Sequence, residues 1–164
     1  MLESKRLYFR PFNYDDYDEL FLILSNPNVC KFLPGKVARN EEQITKWLNH
    51  FIRSVDDEFG NKQYAIVEKE TNRVIGYGGL GYVREFDNLE IMFGFNEDVW
   101  GKGYGTETSL FMRDHAKELG IDFLIALADV ENIKSQKILL HTGFKEIKKM
   151  ELWGLTVYYY EMKL

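Results

Sequence analysis

The 164-residue chain has one cysteine, Cys30, so no internal disulfide can form. With three histidines and that single thiol, no His/Cys group has the spacing of zinc ligands, so no metal is expected. A reducing cytoplasm is the natural compartment. No window approaches the ~18 apolar residues of a membrane span. The opening Met1-Leu2-Glu3-Ser4-Lys5-Arg6 lacks the apolar core of a signal peptide. Basic residues are not in excess: 21 Lys and Arg against 26 Asp and Glu leave a net charge of −5. That balance argues against nucleic-acid binding, which needs a basic face. It suits solubility and permits a cationic substrate. Repeats, low-complexity tracts and linkers are also missing, so residues 1–164 are expected to form a single domain.

What is present is enough for one sizeable core, with 45% hydrophobic residues against 29% charged. Leu7, Phe9 and Phe12 alternate with polar neighbours as a first strand ending near Pro11. A helix is expected from Asn13, with Asp15, Asp16 and Asp18 in its first turns and Leu20, Phe21, Ile23 and Leu24 as its apolar stripe. Asn26-Pro27-Asn28 should stop it. A second helix starts at Asn40, with Gln43 three residues on as a capping-box pair, and carries Ile44, Trp47, Leu48, Phe51 and Ile52. Asp56-Asp57-Glu58 with Gly60 reads as a loop. Three strands follow, around 64–67, 74–80 and 89–95. A helix over about Tyr104 to Leu119 turns Leu110, Phe111, His115 and Ala116 inward. Then come the apolar strand 123–128, a short helix from Ile133 to His141, and a hairpin turning at Gly154. The order β-α-α-β-β-β-α-β-α-β-β predicts an α+β domain around a mixed sheet.

Three glycine patterns compete for a nucleotide-like ligand. Gly76-x-Gly78-x-x-Gly81 has dinucleotide-fingerprint spacing, but Tyr82 to Asp87 lead into another strand, not the helix that a phosphate site needs. These glycines read as close-packing or bulge positions. Gly101-Lys102 imitates a Walker A loop, yet no Ser or Thr follows Lys102. The third pattern, Trp100-Gly101-Lys102-Gly103-Tyr104-Gly105-Thr106-Glu107, lies between a strand and a helix. There, glycines let successive N–H groups converge on an anion with the helix dipole behind them. A glycine-rich turn with no ligand explains the same residues equally well on spacing alone.

Strand, glycine turn and helix in this order resemble motif A of the GNAT superfamily of N-acetyltransferases, whose turn cradles the acetyl-CoA pyrophosphate. Asn132-x-x-Ser135 followed by Gly143-Phe144 is similar to that family's downstream motif. Ser4-Lys5-Arg6-Leu7, Arg10-Pro11, Asp15-Asp16 and Trp100-Gly101-Lys102-Gly103-Tyr104 resemble its RimJ/RimL-like branch. The resemblance runs along almost the whole chain. One departure is Trp100, where the superfamily usually has Gln or Arg.

The resemblance implies a three-layer fold with about seven strands and about four helices. It also implies that acetyl-CoA is the cosubstrate and that the acetyl group passes directly to a primary amine. Gly101, Lys102, Gly103, Tyr104, Gly105 and Thr106 would hold the pyrophosphate. Phe93, Gly94 and Phe95 would pair with the pantetheine arm, Gly94 marking a bulge that frees an N–H for the thioester carbonyl. Asn132 would contact the cofactor or cap its helix. Glu90 would be the general base and Ser135 the donor to the departing thiolate, because Leu139 stands where many relatives place a Tyr. For Glu90 the plain reading is an exposed strand carboxylate, and for Ser135 a first-turn helix residue. The acceptor would be a protein N-terminal α-amine, or alternatively a small amine of polyamine or aminoglycoside type. A non-catalytic acyl-CoA-binding sensor would need the glycines but not Glu90 or Ser135. Exposed strands would allow a homodimer. His50, His115, His141 and Cys30 read as structural.

Overall fold

The computed structural model describes residues 1–57 and 60–164, so Glu58 of the expected acidic loop lies outside the described residues. In chain order the elements are β1 (Leu2–Glu3), β2 (Leu7–Arg10), α1 (Tyr17–Leu24), α2 (Pro27–Cys30), α3 (Glu41–Arg53), β3 (Lys62–Glu68), β4 (Arg73–Val83) and β5 (Asn88–Phe95). They continue with α4 (Tyr104–Glu118), β6 (Phe123–Asp129), α5 (Ile133–His141), β7 (Lys145–Leu152) and β8 (Leu155–Lys163). The eight strands among the described residues belong to one sheet of order 1-2-3-4-5-6-8-7. Every neighbouring pair is antiparallel except β5 and β6.

This is the expected α+β architecture with a mixed, mostly antiparallel sheet. The strand count is eight because Leu2 and Glu3 add a two-residue edge opposite Phe9 and Tyr8. No helix among the described residues is long and apolar enough to cross a membrane.

The sheet separates two cores. On one face, Leu20, Ile23 and Leu24 of α1 and Ile44, Leu48 and Phe51 of α3 pack on Ala65, Val67, Val74 and Tyr77. On the other, Met112 and Ala116 of α4 and Leu139 of α5 cover Ile66, Ile75, Ile91, Phe95, Leu124 and Ala126. Met112 rather than Leu110 anchors α4: Met112 is fully buried and Leu110 only half-buried.

Local chemistry sets most boundaries. Asn40 and Gln43 exchange the two hydrogen bonds of a capping box at the start of α3. At the first helix, Asn13 caps a single 3-10 turn, Tyr14–Asp16, before α1 begins. Asp16 is buried there and receives both Arg10 Nη atoms at 2.8 Å, so it ties the turn to β2 as well as answering the helix dipole. Asn26-Pro27-Asn28 does not simply stop α1. Asn26 caps the new helix α2, with Pro27 in its first turn, where the missing N–H costs nothing. Trp153 (φ 51) and Gly154 (φ 77) make the two-residue turn between β7 and β8.

Candidate active site

The turn from β5 to α4 is held open by its own geometry. Gly101 (φ 77) and Gly103 (φ 83) lie in the left-handed region, where a Cβ is strained. Trp100 fixes the turn's start, since its Nε1–H donates to the Phe95 carbonyl at 3.0 Å and the Lys134 ammonium sits 5.3 Å over its ring. Gly103 stands before α4, and no side chain caps that helix. Among the described residues the first-turn amides thus receive no side-chain cap, and they lie beside exposed Gly101, Lys102 and Gly103. Tyr104 contributes only backbone, because its ring is buried and its hydroxyl donates to Glu68. Gly105 has a packing reason: a Cβ there would stand 2.7 Å from Ile138 Cδ1 of α5. Thr106 is half-buried in the same first turn.

A clamp behind the turn was not legible as such in the sequence. Glu107 accepts from Ser4 Oγ, the Arg6 amide and Arg6 Nε, each at 2.7 Å. Arg6 Nη1 also donates to the Lys102 carbonyl at 2.9 Å, and its guanidinium stacks 4.3 Å over Tyr104. Burial alone would raise the Glu107 carboxyl, but the bonds from Ser4 and Arg6 outweigh it and hold it below the usual carboxylate range. The signals were an acid in a helix first turn and the Ser4-Lys5-Arg6 stretch, residues about a hundred positions apart.

β5 and β6 meet in register at a single pair, Glu90 opposite Ile125. No further pairing of β5 with β6 follows among the described residues, so the N–H and C=O groups of β5 from 91 to 95 that turn away from β4 are without ladder partners on β6. Phe93, Gly94 and Phe95 lie along this edge. The expected bulge at Gly94 is absent: β4 and β5 stay in unbroken register from Gly76↔Phe95 to Val83↔Asn88. Gly94 is small because the Tyr77 ring lies over it, 2.6 Å from where a Cβ would be. Gly76 and Gly78 lie inside β4, where a Cβ would meet the carbonyls of Gly94 and Met92, so they are close-packing glycines. Uncapped amides, two positive-φ glycines and an open strand edge fit an extended ligand with an anionic group at one end.

Glu90 stands where the two strands part. The residue keeps some surface toward the cleft, yet protein encloses its carboxyl, and that burial pushes it up to about 8. A backbone hydrogen bond from Leu127 offsets part of the rise. Glu90, Met92 and Gly94 share the α3 face of β5, while Ile91, Phe93 and Phe95 turn to the α4 face. Asn132 caps α5, its Oδ1 accepting from the Ser135 amide at 3.2 Å. Ser135 is half-buried in the first turn of α5, a helix on the α4 face. Glu90 and Ser135 thus belong to opposite faces of the sheet, with the gap between them.

The sequence and fold are similar to those of known proteins. Residues 6–145 match the family model described as the acetyltransferase (GNAT) domain. The chain is 24% identical over 147 residues, 88% of its length and 82% of the relative's, to the Uncharacterized N-acetyltransferase YnaD of Bacillus subtilis. Its fold is similar to that of a GNAT-family acetyltransferase from Bacillus anthracis, with a TM-score of 0.85 and 22% identity over 99% of this chain and 97% of that one. It is also similar to RimL, the ribosomal L7/L12 α-N-protein acetyltransferase solved with coenzyme A (TM-score 0.79, 19% identity, 98% and 96% covered).

Proposed function

This chain belongs to the GNAT acetyltransferase family, and on that premise we propose that it moves the acetyl group of acetyl-CoA onto a primary amine approaching from the α3 face. GNAT proteins use acetyl-CoA, and this chain is an N-acetyltransferase of that family. In the reading proposed here, the free amides of the Gly101–Thr106 turn take the pyrophosphate, with Lys102 at the rim. Phe93, Gly94 and Phe95 pair through their backbone with the pantetheine arm. The Asn132 side-chain amide, whose oxygen caps α5, offers its NH2 group to the same arm.

The observation that carries the reading is Glu90, an enclosed carboxyl at the point where β5 and β6 separate. An amine arriving on the α3 face loses a proton to Glu90 as its nitrogen bonds to the acetyl carbon. The C–S bond breaks, and Ser135, on the other side of the gap, donates a hydrogen bond to the departing sulfur. The RimL likeness supports a protein N-terminal α-amine as acceptor.

Glu90→Gln tests this. It should leave acetyl-CoA affinity intact while lowering kcat/KM for any accepted amine by roughly 100-fold or more. Unchanged turnover across pH would remove Glu90 from the chemistry.

A further inference from the structure

A second cleft, of about 360 Å³, opens on the α3 face and is lined by Lys46, Trp47, His50, Phe51 and Met92. Met92 is two residues along β5 from Glu90, so the two side chains leave the strand on the same side. The cleft wall is well fixed. Gln63 Nε2 reaches the Met92 sulfur at 3.3 Å, and the Trp47 ring meets Phe51 and Tyr77 edge-on at centroid distances of 5.5 and 5.7 Å. Lys46 and His50, both exposed, are the ionisable residues among those lining it, and Lys46 is paired with exposed Glu42 one turn back at 2.8 Å. Asp129, the buried carboxylate at the end of β6, already faces the Lys36 ammonium at 3.9 Å.

We propose that the acceptor is a primary amine whose carbon skeleton next to the nitrogen carries an apolar group of side-chain size, aromatic or long aliphatic. That group fills the Trp47–Phe51–Met92 cleft while the nitrogen reaches Glu90. This rests on the placement of the amine at Glu90. A rigid aromatic wall rewards apolar surface and leaves a small or polar substituent unmatched. A polyamine would have to seat its second ammonium among rings, beside Lys46 and His50, where the nearby carboxylate, exposed Glu42, is already paired with Lys46 at 2.8 Å. An N-terminal residue with an apolar side chain and a free arylalkyl amine present the same chemistry.

The experiment is steady-state acetyl transfer by the full-length protein to four acceptors: a short peptide beginning with Phe, the same peptide beginning with Gly, phenethylamine and spermidine. The Phe peptide should exceed the Gly peptide in kcat/KM by on the order of 10- to 100-fold, with spermidine lowest. Phenethylamine equal to the Phe peptide identifies free amines as sufficient. Phenethylamine far below it assigns part of the recognition to the peptide backbone. Trp47→Ala should erase the Phe-over-Gly preference while the KM for acetyl-CoA stays put. His50→Glu, at an exposed position whose ring touches only the edge of the cleft at Phe51, should raise spermidine relative to the Phe peptide. Spermidine or the Gly peptide matching the Phe peptide in the wild type overturns the inference. So does intact acetyl-CoA binding without turnover of either apolar acceptor. Loss of acetyl-CoA binding itself would instead sink the transferase reading beneath it.

Discussion

The turn at the start of α4 and the cleft beneath α3 sit on the two sides of one strand and are built by opposite rules. The turn is backbone: two left-handed glycines, an uncapped helix, and a clamp from Arg6 to Glu107 that fixes the loop without entering it. The cleft is side chain: Trp47, Phe51 and Met92, on the face of β5 that also carries Glu90 two residues from Met92. A backbone site binds a group common to many ligands and tolerates sequence change in everything but its glycines. A side-chain site carries the selectivity and the proton chemistry, and can change without disturbing the other. The sheet makes the separation possible, since β5 presents alternate residues to each face.

The sharpest way to break this contrast is Glu90→Gln, with an expected loss of roughly 10²- to 10⁴-fold in kcat/KM and none in acetyl-CoA affinity. The wild-type rate should climb with pH as Glu90 gives up its proton through about 8, and the variant should lose that limb. The stability consequence has a fixed sign. A carboxyl raised in the folded state keeps a proton that the unfolded chain releases, so this group's contribution falls as pH rises from the ordinary carboxylate range toward about 8. Glu90→Gln should therefore melt higher than wild type at pH 8 and match it at pH 4; the same gap at both pH values would contradict the enclosed carboxyl.

Gly103→Val acts on the other side. It forces a β-branched residue to φ 83 in the proposed phosphate space, and acetyl-CoA affinity should fall by on the order of 100-fold. Arg6→Ala should be milder. Releasing Glu107 and the Lys102 carbonyl loosens the turn, costing about 1–2 kcal/mol of stability and roughly tenfold in acetyl-CoA affinity, read by thermal melting and titration. Smallest is Gly105→Ala. Its Cβ would crowd the end of Ile138, a side chain able to shift, and meet Phe93 at an ordinary contact distance of 3.5 Å, so about 1 kcal/mol or less should be lost, and acetyl-CoA affinity should hold. Equal damage from Gly103 and Gly105 changes would erase the distinction drawn between a cradle glycine and a packing glycine.

The turn and the element order were legible because their signals are local. Glycines between a strand and a helix, Asn40 with Gln43, and the Trp153-Gly154 hairpin each act over a few residues. Glu90 was reached by resemblance and strand parity, but nothing in Leu89-Glu90-Ile91 foretold its enclosure. That depends on residues distant in sequence that pack around the carboxyl in the folded chain, among them β6, whose Leu127 backbone hydrogen-bonds to it. The clamp and the cleft stayed hidden for the same reason. Arg6 meets Glu107, and Trp47 meets Met92's strand, only after the sheet has closed. Gly94 shows the limit of reading a glycine from its strand alone: the cause is the Tyr77 ring on the neighbouring strand, not a bulge.

The central claim is most directly tested by calorimetric titration of the protein with acetyl-CoA, with ATP and NAD as controls. Saturable binding of acetyl-CoA well above either control, weakened by Gly103→Val, is the predicted result. No binding, or equal binding of all three, would contradict it and leave the turn a purely structural link between β5 and α4.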